Sequence, residues 1–223
     1  MIGILCAMES ELQAILKYME IESERQIATC KLYRGKIHEQ EVIACLAGIG
    51  KCSASMSATI LLMEAPVELV INVGVAGGLL ENQQVLDLVI SNEAIQADFD
   101  TSPLDGEEGL GLRYPIEPAL IQKAESIAQK IGIPYQTGVI ATQDLFMARQ
   151  SDFDTLKQNF PESACSEMEG GAIAQVCSAF HTPCLIIRTL SDVVFHHDNP
   201  MEFSAFAQKA SEQAAKFINE WCL

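Results

Sequence analysis

The chain has 223 residues, 49% of them hydrophobic, and a formal net charge of −16, from 30 Asp and Glu against 14 Lys and Arg. That length suits one domain with a sizeable core, and that apolar content excludes global disorder. The negative surplus repels phosphate, which argues against nucleic acid or an anionic membrane as partner.

Met1–Cys6 is a short apolar run that reads as a buried strand. Glu9 and Glu11 follow in a first helical turn, where negative charge suits the helix dipole, and Leu12, Ile15, Leu16 and Met19 give that helix one apolar stripe. Cys30–His38 and Glu41–Leu46 read as two strands joined by a tight polar turn. Gly48–Lys51 opens a helix of small residues that runs to about Met63, and Glu68–Val73 is a second buried strand ending on Gly74–Gly78. Val85–Gln96 reads as a long strand and Asp98–Pro115 as an irregular, Gly-rich, acidic loop. Pro118–Ile131 has helical periodicity, Tyr135–Ala141 is extended, and Phe153–Asn159 is helical. Ser163–Met168 is extended, Gly170–Phe180 is an almost wholly apolar and therefore buried helix, Cys184–Leu190 is a central strand, and Glu202–Trp221 is an amphipathic helix. Strands alternating with helices, without repeat or linker, predict a single α/β domain over residues 1–223.

Eight cysteines resemble a disulfide set, but most sit inside apolar runs and no C-x-x-C pair occurs. Glu9 and Glu11 interrupt the N-terminus before a signal peptide accumulates, and no apolar run reaches about 18 residues. These features predict reduced thiols and a cytoplasmic location.

Chemistry-bearing residues gather where apolar strands end, the place open α/β folds use for ligands. Gly48-Ile49-Gly50-Lys51 lacks the upstream Gly and following Ser or Thr of a phosphate loop, so close backbone packing at a strand-to-helix turn is the better reading. Gly74–Gly78 allows close backbone approach to a ligand, or a tight turn. In Ser166-Glu167-Met168-Glu169-Gly170-Gly171 the two carboxylates share one face of an extended segment; they are either helix N-terminal residues or ligands for paired ribose hydroxyls. In Arg188-Thr-Leu-Ser191-Asp192 the Arg and Asp either pair with each other or leave an Asp shielded enough to hold a proton. His196-His197-Asp198 is a poor metal set, because adjacent ligands rarely converge on one ion. The acidic residues from Asp98 to Glu108 lack calcium-loop spacing.

The order of these segments carries a resemblance. I-G-I-L-C-A-M-E-S-E, A-G-I-G-K, I-N-V-G-V-A-G-G-L, D-L-F-M, S-E-M-E-G and R-T-L-S-D, in that sequence from Met1 to about Trp221, resemble the bacterial 5′-methylthioadenosine/S-adenosylhomocysteine nucleosidases of the nucleoside phosphorylase superfamily. The resemblance implies a three-layer α/β/α domain around a mixed, partly barrel-like sheet, and a homodimer whose neighbouring subunit helps close the pocket. It implies hydrolysis of an adenine nucleoside with no cofactor and no metal. Asp192 would protonate adenine N7, Glu11 would activate the attacking water, and Arg188 would help hold that water. Glu169 and the Met168 backbone would bind the ribose, with Glu167 and Ser191 beside them. Phe146 and Met147 would hold adenine, and Met8, Ile49 and Val75 would line the ribose and its 5′ thio-substituent. Departures at Ala47, Val75, Ala97 and around Pro200 bear on the 5′ side. The rival readings are hydrolysis of another 6-amino purine nucleoside such as aminodeoxyfutalosine, a phosphate-dependent phosphorylase, and a nucleoside-sensing or interaction domain. The Met1–Met19 and Gly74–Gly78 segments carry no arginine for phosphate, which favours water.

Overall fold

Apolar runs too short for a helix form the centre of the sheet. In the computed structural model, which describes residues 1–194 and 206–223 and the backbone of 200–205, β1 (Ile2–Cys6) is buried at all five positions. It lies parallel between β4 (Gln40–Leu46) and β5 (Leu69–Gly78). Burial on both faces explains why these strands do not alternate in sequence. Beyond β4 the sheet continues antiparallel through β3 (Cys30–Ile37) to β2 (Glu20–Ile27) at the edge.

On the other side of β5 the sheet curls back on itself. β5 pairs with β10 (Cys184–Val193), β10 with β6 (Leu88–Asp100), β6 with β8 (Tyr135–Thr142) and β8 with β9 (Ser163–Glu167), and β9 returns to β5 through Gly77 and Gly78. The sheet is therefore mixed and partly closed into a ring, with β7 (Leu110–Pro115) paired outside it to β6.

Alternate residues of each strand serve two cores. Ile4, Ile71 and Ile187 face a layer made by α1 (Glu9–Leu16), α4 (Pro118–Ile131) and α7 (Pro200–Trp221), which supply Leu12, Ile15, Ile127, Phe217 and Trp221. Their neighbours Leu5, Val70 and Ile186 face α2 (Lys51–Glu64) and α6 (Gly170–Ala179) through Ala54, Ala58, Leu61, Ile173 and Ala174. The small side chains of α2 and α6 let these helices pack closely on the sheet and on each other. A third cluster holds α5 (Gln150–Asn159) by Leu156 and Phe160. Helices on both faces of one sheet make the three-layer α/β/α domain that the resemblance implied. Among the described residues all eight cysteines are free, seven of them buried, and no helix is long and apolar enough to cross a membrane.

The structure adds one strand, settles one open alternative and corrects two expectations. Glu20–Ile27 carried no apolar pattern yet forms β2, an edge strand exposed along nearly its whole length and studded with charge, as an unprotected edge requires. The glycines after Val73 do not turn; β5 runs through them to Gly78, held between β10 and β9. β6 begins at Leu88 rather than Val85, because Leu86 takes a left-handed φ of 75° in the preceding turn. The acidic loop from Asp98 to Pro115 is mostly ordered into the end of β6, a one-turn helix at Ser102–Asp105 (α3), a 3₁₀ turn at Gly106–Gly109 and β7.

Candidate active site

The carboxyl ends of β1, β5, β9 and β10, together with the loops after β4 and β8, surround a cavity of about 290 Å³. Every site residue named from sequence lines it: Met8, Glu11, Ile49, Val75, Phe146, Met147, Glu167, Met168, Glu169, Arg188, Ser191 and Asp192. The mouth is apolar and exposed at Ile49, Leu145 and Phe146, while the carboxylates Glu11, Glu167 and Glu169 are buried.

Glu11 stands in the first turn of α1. One of its oxygens accepts the N–H groups of Ala7 and Met8, both at 2.9 Å, and the other accepts the Val75 N–H at 3.1 Å. Burial pushes its pKa up, against the pull of those amides and of the Arg188 charge. A β-carbon on Gly74 would sit 3.0 Å from the Glu11 carboxylate and one on Gly77 would sit 3.2 Å from that of Asp192, so the glycine run is what lets both acids lie against β5. The Val75 contact to Glu11 uses the backbone alone, which leaves its side chain free to differ from that of relatives.

Arg188 is buried in the middle of β10 and pairs with Glu167, not with Asp192. Its guanidinium also donates to the side chain of Asn72 and to the backbone oxygens of Asn72 and Ile187. Glu167 is saturated: it accepts Arg188, the Thr142 hydroxyl, and the N–H groups of Glu169 and Gly170 at 3.0 and 2.7 Å. The last two are free amides at the start of α6, a natural seat for a carboxylate. So Glu167 lines the cavity with both oxygens already engaged. Asn72 and Thr142 went unread in the sequence; Asn72, the one polar residue in Val70-Ile71-Asn72-Val73, was the available clue.

Glu169 caps the start of α6 and accepts the Gly50 N–H at 2.9 Å. Burial first, and then the neighbouring Glu167 charge, push its pKa up to about 7. The consequence for stability has a definite sign. The folded state holds this proton more tightly than the unfolded chain, so the contribution is full below the ordinary carboxylate range and is lost as pH rises through about 7. Glu169→Gln should therefore raise the melting temperature by several degrees at pH 8, reflecting at most about 3 kcal/mol, with the difference vanishing near pH 4. Thermal melts at the two pH values check this; no gain at pH 8 contradicts it.

Asp192 sits beyond a bulge in β10, where the pairing with β5 skips Ser191 and resumes at Asp192 opposite Gly77. The bulge breaks the strand's alternation and turns the carboxyl into the cavity. Its oxygen accepts the Ser191 hydroxyl at 2.8 Å. Burial raises its pKa, with only that hydroxyl opposing. Among the described residues Glu11 feels three amides and a guanidinium, Asp192 a single hydroxyl. Environments this different suit one carboxyl to act as base and the other to hold a proton.

Among the described residues no group of three or more His, Cys, Asp or Glu side chains is placed to hold a metal ion. His196, His197 and Asp198 lie outside the described residues, as does the rest of 195–199.

The sequence pattern of the phosphorylase superfamily matches residues 1–221. A 5′-methylthioadenosine/S-adenosylhomocysteine nucleosidase of Oceanobacillus iheyensis is 37% identical over 221 residues, 97% of this chain and 96% of that protein. The structure of the corresponding nucleosidase of Neisseria meningitidis, in complex with methylthio-immucillin-A, superposes with a TM-score of 0.92 at 29% identity, covering 98% of this chain and 96% of that one. Futalosine hydrolase of Helicobacter pylori superposes with a TM-score of 0.90, also at 29% identity, over 98% and 95% of the two chains.

Proposed function

This chain belongs to the phosphorylase superfamily and, within it, to the 5′-methylthioadenosine/S-adenosylhomocysteine nucleosidases, and on that premise we propose that it hydrolyses the N-glycosidic bond of those two nucleosides to release adenine. One observation carries the choice of water over phosphate. Among the described residues Arg188 is the only cation lining the cavity, and it is committed to Glu167, while Glu11, Glu169 and Asp192 also line it. Among the described residues a phosphate anion would meet three acids and a single cation whose charge is already matched by Glu167.

Each acid has a distinct task in this reading. Asp192 gives its proton to adenine N7 as the bond from the ribose carbon to N9 breaks, so adenine leaves neutral. Water adds to the ribose carbon and passes its proton to Glu11. The sugar between these events has oxocarbenium character, and the anionic Glu169 on its hydroxyls stabilises that charge more than it stabilises the neutral substrate. Arg188 stays charged: burial pulls its pKa down, but the surrounding carboxylates outweigh that and raise it, and it orients the water together with Glu11. Glu167 acts on Arg188 and on the turn that presents Glu169, rather than on the ribose. Phe146 and Met147 cover the base, Met8, Ile49 and Val75 the ribose and thio-substituent, and the Met168 backbone and Ser191 complete the lining.

A homodimer belongs to the proposal, with the neighbouring subunit closing the cavity. Its support is the apolar surface left bare at the mouth by Ile49 and Phe146, along the outer side of α2 by Met56 and Met63, and at Leu104 on α3. A cytoplasmic location rests on the eight free thiols, and a role in methionine salvage follows from the thioribose product. The likeness to futalosine hydrolase favours a second reading, the same bond cleaved in aminodeoxyfutalosine. Purified protein in phosphate-free buffer, given methylthioadenosine, S-adenosylhomocysteine and aminodeoxyfutalosine in parallel, should release adenine fastest from the first two. Release from aminodeoxyfutalosine alone would move the assignment to that nucleoside.

A further inference from the structure

Three segments far apart in sequence meet at the rim of the cavity. The Asp98 carboxylate, near the end of β6, accepts the Lys51 ammonium at 2.5 Å and the Asp144 N–H at 2.8 Å. The Asp144 carboxylate in turn accepts the Lys51 N–H at 2.7 Å. These links close a ring of three residues, at the end of β6, the start of α2 and the loop after β8. The Lys51 side chain is largely covered, at 19% exposure, and that of Asp98 partly so, at 32%, so the pair is screened somewhat less than one on the open surface. Its neighbours are site residues on both sides. Gly50, preceding Lys51, gives its N–H to Glu169, and Leu145, Phe146 and Met147 follow Asp144 directly.

We propose that Asp98 is a positioning residue for the reaction, closing a clasp that holds the backbone donor of the ribose carboxylate and the apolar base loop in one arrangement before substrate enters. Neither Asp98, Lys51 nor Asp144 lines the cavity; they act through Gly50 and the Phe146 loop. The clasp also engages the Lys51 ammonium, which takes away the one feature of the Gly48–Lys51 segment that suggested phosphate. The inference rests on the nucleosidase reading.

Its test uses methylthioadenosine kinetics of the wild type, Asp98→Ala, Asp98→Asn, Lys51→Gln and the double variant Asp98→Ala/Lys51→Gln, with melting curves for each. Asp98→Ala should lower kcat/KM by about 10–100-fold, since small misplacements of positioning groups cost that much, and mainly through KM. The acid limb of its kcat/KM profile should move to higher pH, because Glu169 loses an amide donor. Asp98→Asn, which keeps an acceptor for the Asp144 N–H, should recover part of the loss. The double variant should lose no more than Asp98→Ala alone, as expected of residues in one unit. Additive losses, or an Asp98→Ala variant within twofold of wild type with an unmoved acid limb, overturn the clasp. If Asp98→Ala does not melt cooperatively, Lys51→Gln decides by the same shift of the acid limb. A wild type that releases no adenine removes the nucleosidase reading and the clasp with it; an active wild type with unaffected variants removes the clasp alone.

Discussion

Asp192→Asn is expected to slow adenine release by about 10²–10⁴-fold, the range for losing a general acid, in a protein that melts like the wild type. The substitution is nearly isosteric, and Asn keeps the acceptor for the Ser191 hydroxyl, the one side-chain bond that Asp192 makes among the described residues. Among the described residues no cation is left unpaired by the change, since Arg188 is matched by Glu167. What disappears is the proton. An adenine anion is a poor leaving group, and burial holds the Asp192 carboxyl in its protonated form to higher pH than an exposed Asp. Wild-type turnover should accordingly fall as pH rises through that raised pKa, and the residual rate of the variant should lack this basic limb. Turnover by Asp192→Asn near the wild-type level would remove Asp192 from the chemistry.

Glu11→Gln is expected to cost about 10²–10⁴-fold as well, through the opposite limb. The base must be ionised, so wild-type activity should fall as pH drops through the pKa of Glu11, which burial has raised. The variant should be slow, and the acid limb it keeps should be that of Glu169 alone. The substitution is less innocent structurally than Asp192→Asn. Glu11 accepts three backbone N–H groups over both oxygens, and an amide accepts on only one side, so at least one N–H faces an NH₂ group. Leaving a buried donor unsatisfied costs about 1–3 kcal/mol. Melting curves therefore accompany the kinetics, and a variant that folds yet turns over near the wild-type level would contradict the role of Glu11.

The acids of the site were legible because each stands where a recognisable strand or helix begins or ends. Glu11 follows β1 into the first turn of α1, Glu169 closes β9 onto α6, and Asp192 ends β10, so short apolar runs were enough to mark the places. Pro118–Ile131 was read with the bounds it has, from Pro at the start and an amphipathic stripe. β2 was not legible, because an edge strand paired on one side and charged along its length has no buried face to write a pattern. The partner of Arg188 was not legible either. Arg188 and Asp192 are close in sequence, but the bulge at Ser191 separates their roles, and the matching carboxylate comes from β9. The Asp98–Lys51–Asp144 clasp joins residues 46, 47 and 93 positions apart, and only the folded sheet, by bringing the ends of β4, β6 and β8 to one rim, puts them in reach.

Water as the attacking group is the claim on which the rest depends. The most direct measurement is turnover of methylthioadenosine in ¹⁸O-labelled water, with and without added phosphate, followed by mass spectrometry of the sugar. The account predicts adenine release at the same rate in both, and a free methylthioribose carrying one ¹⁸O. Adenine released only when phosphate is present, with a sugar 1-phosphate free of label, would contradict it.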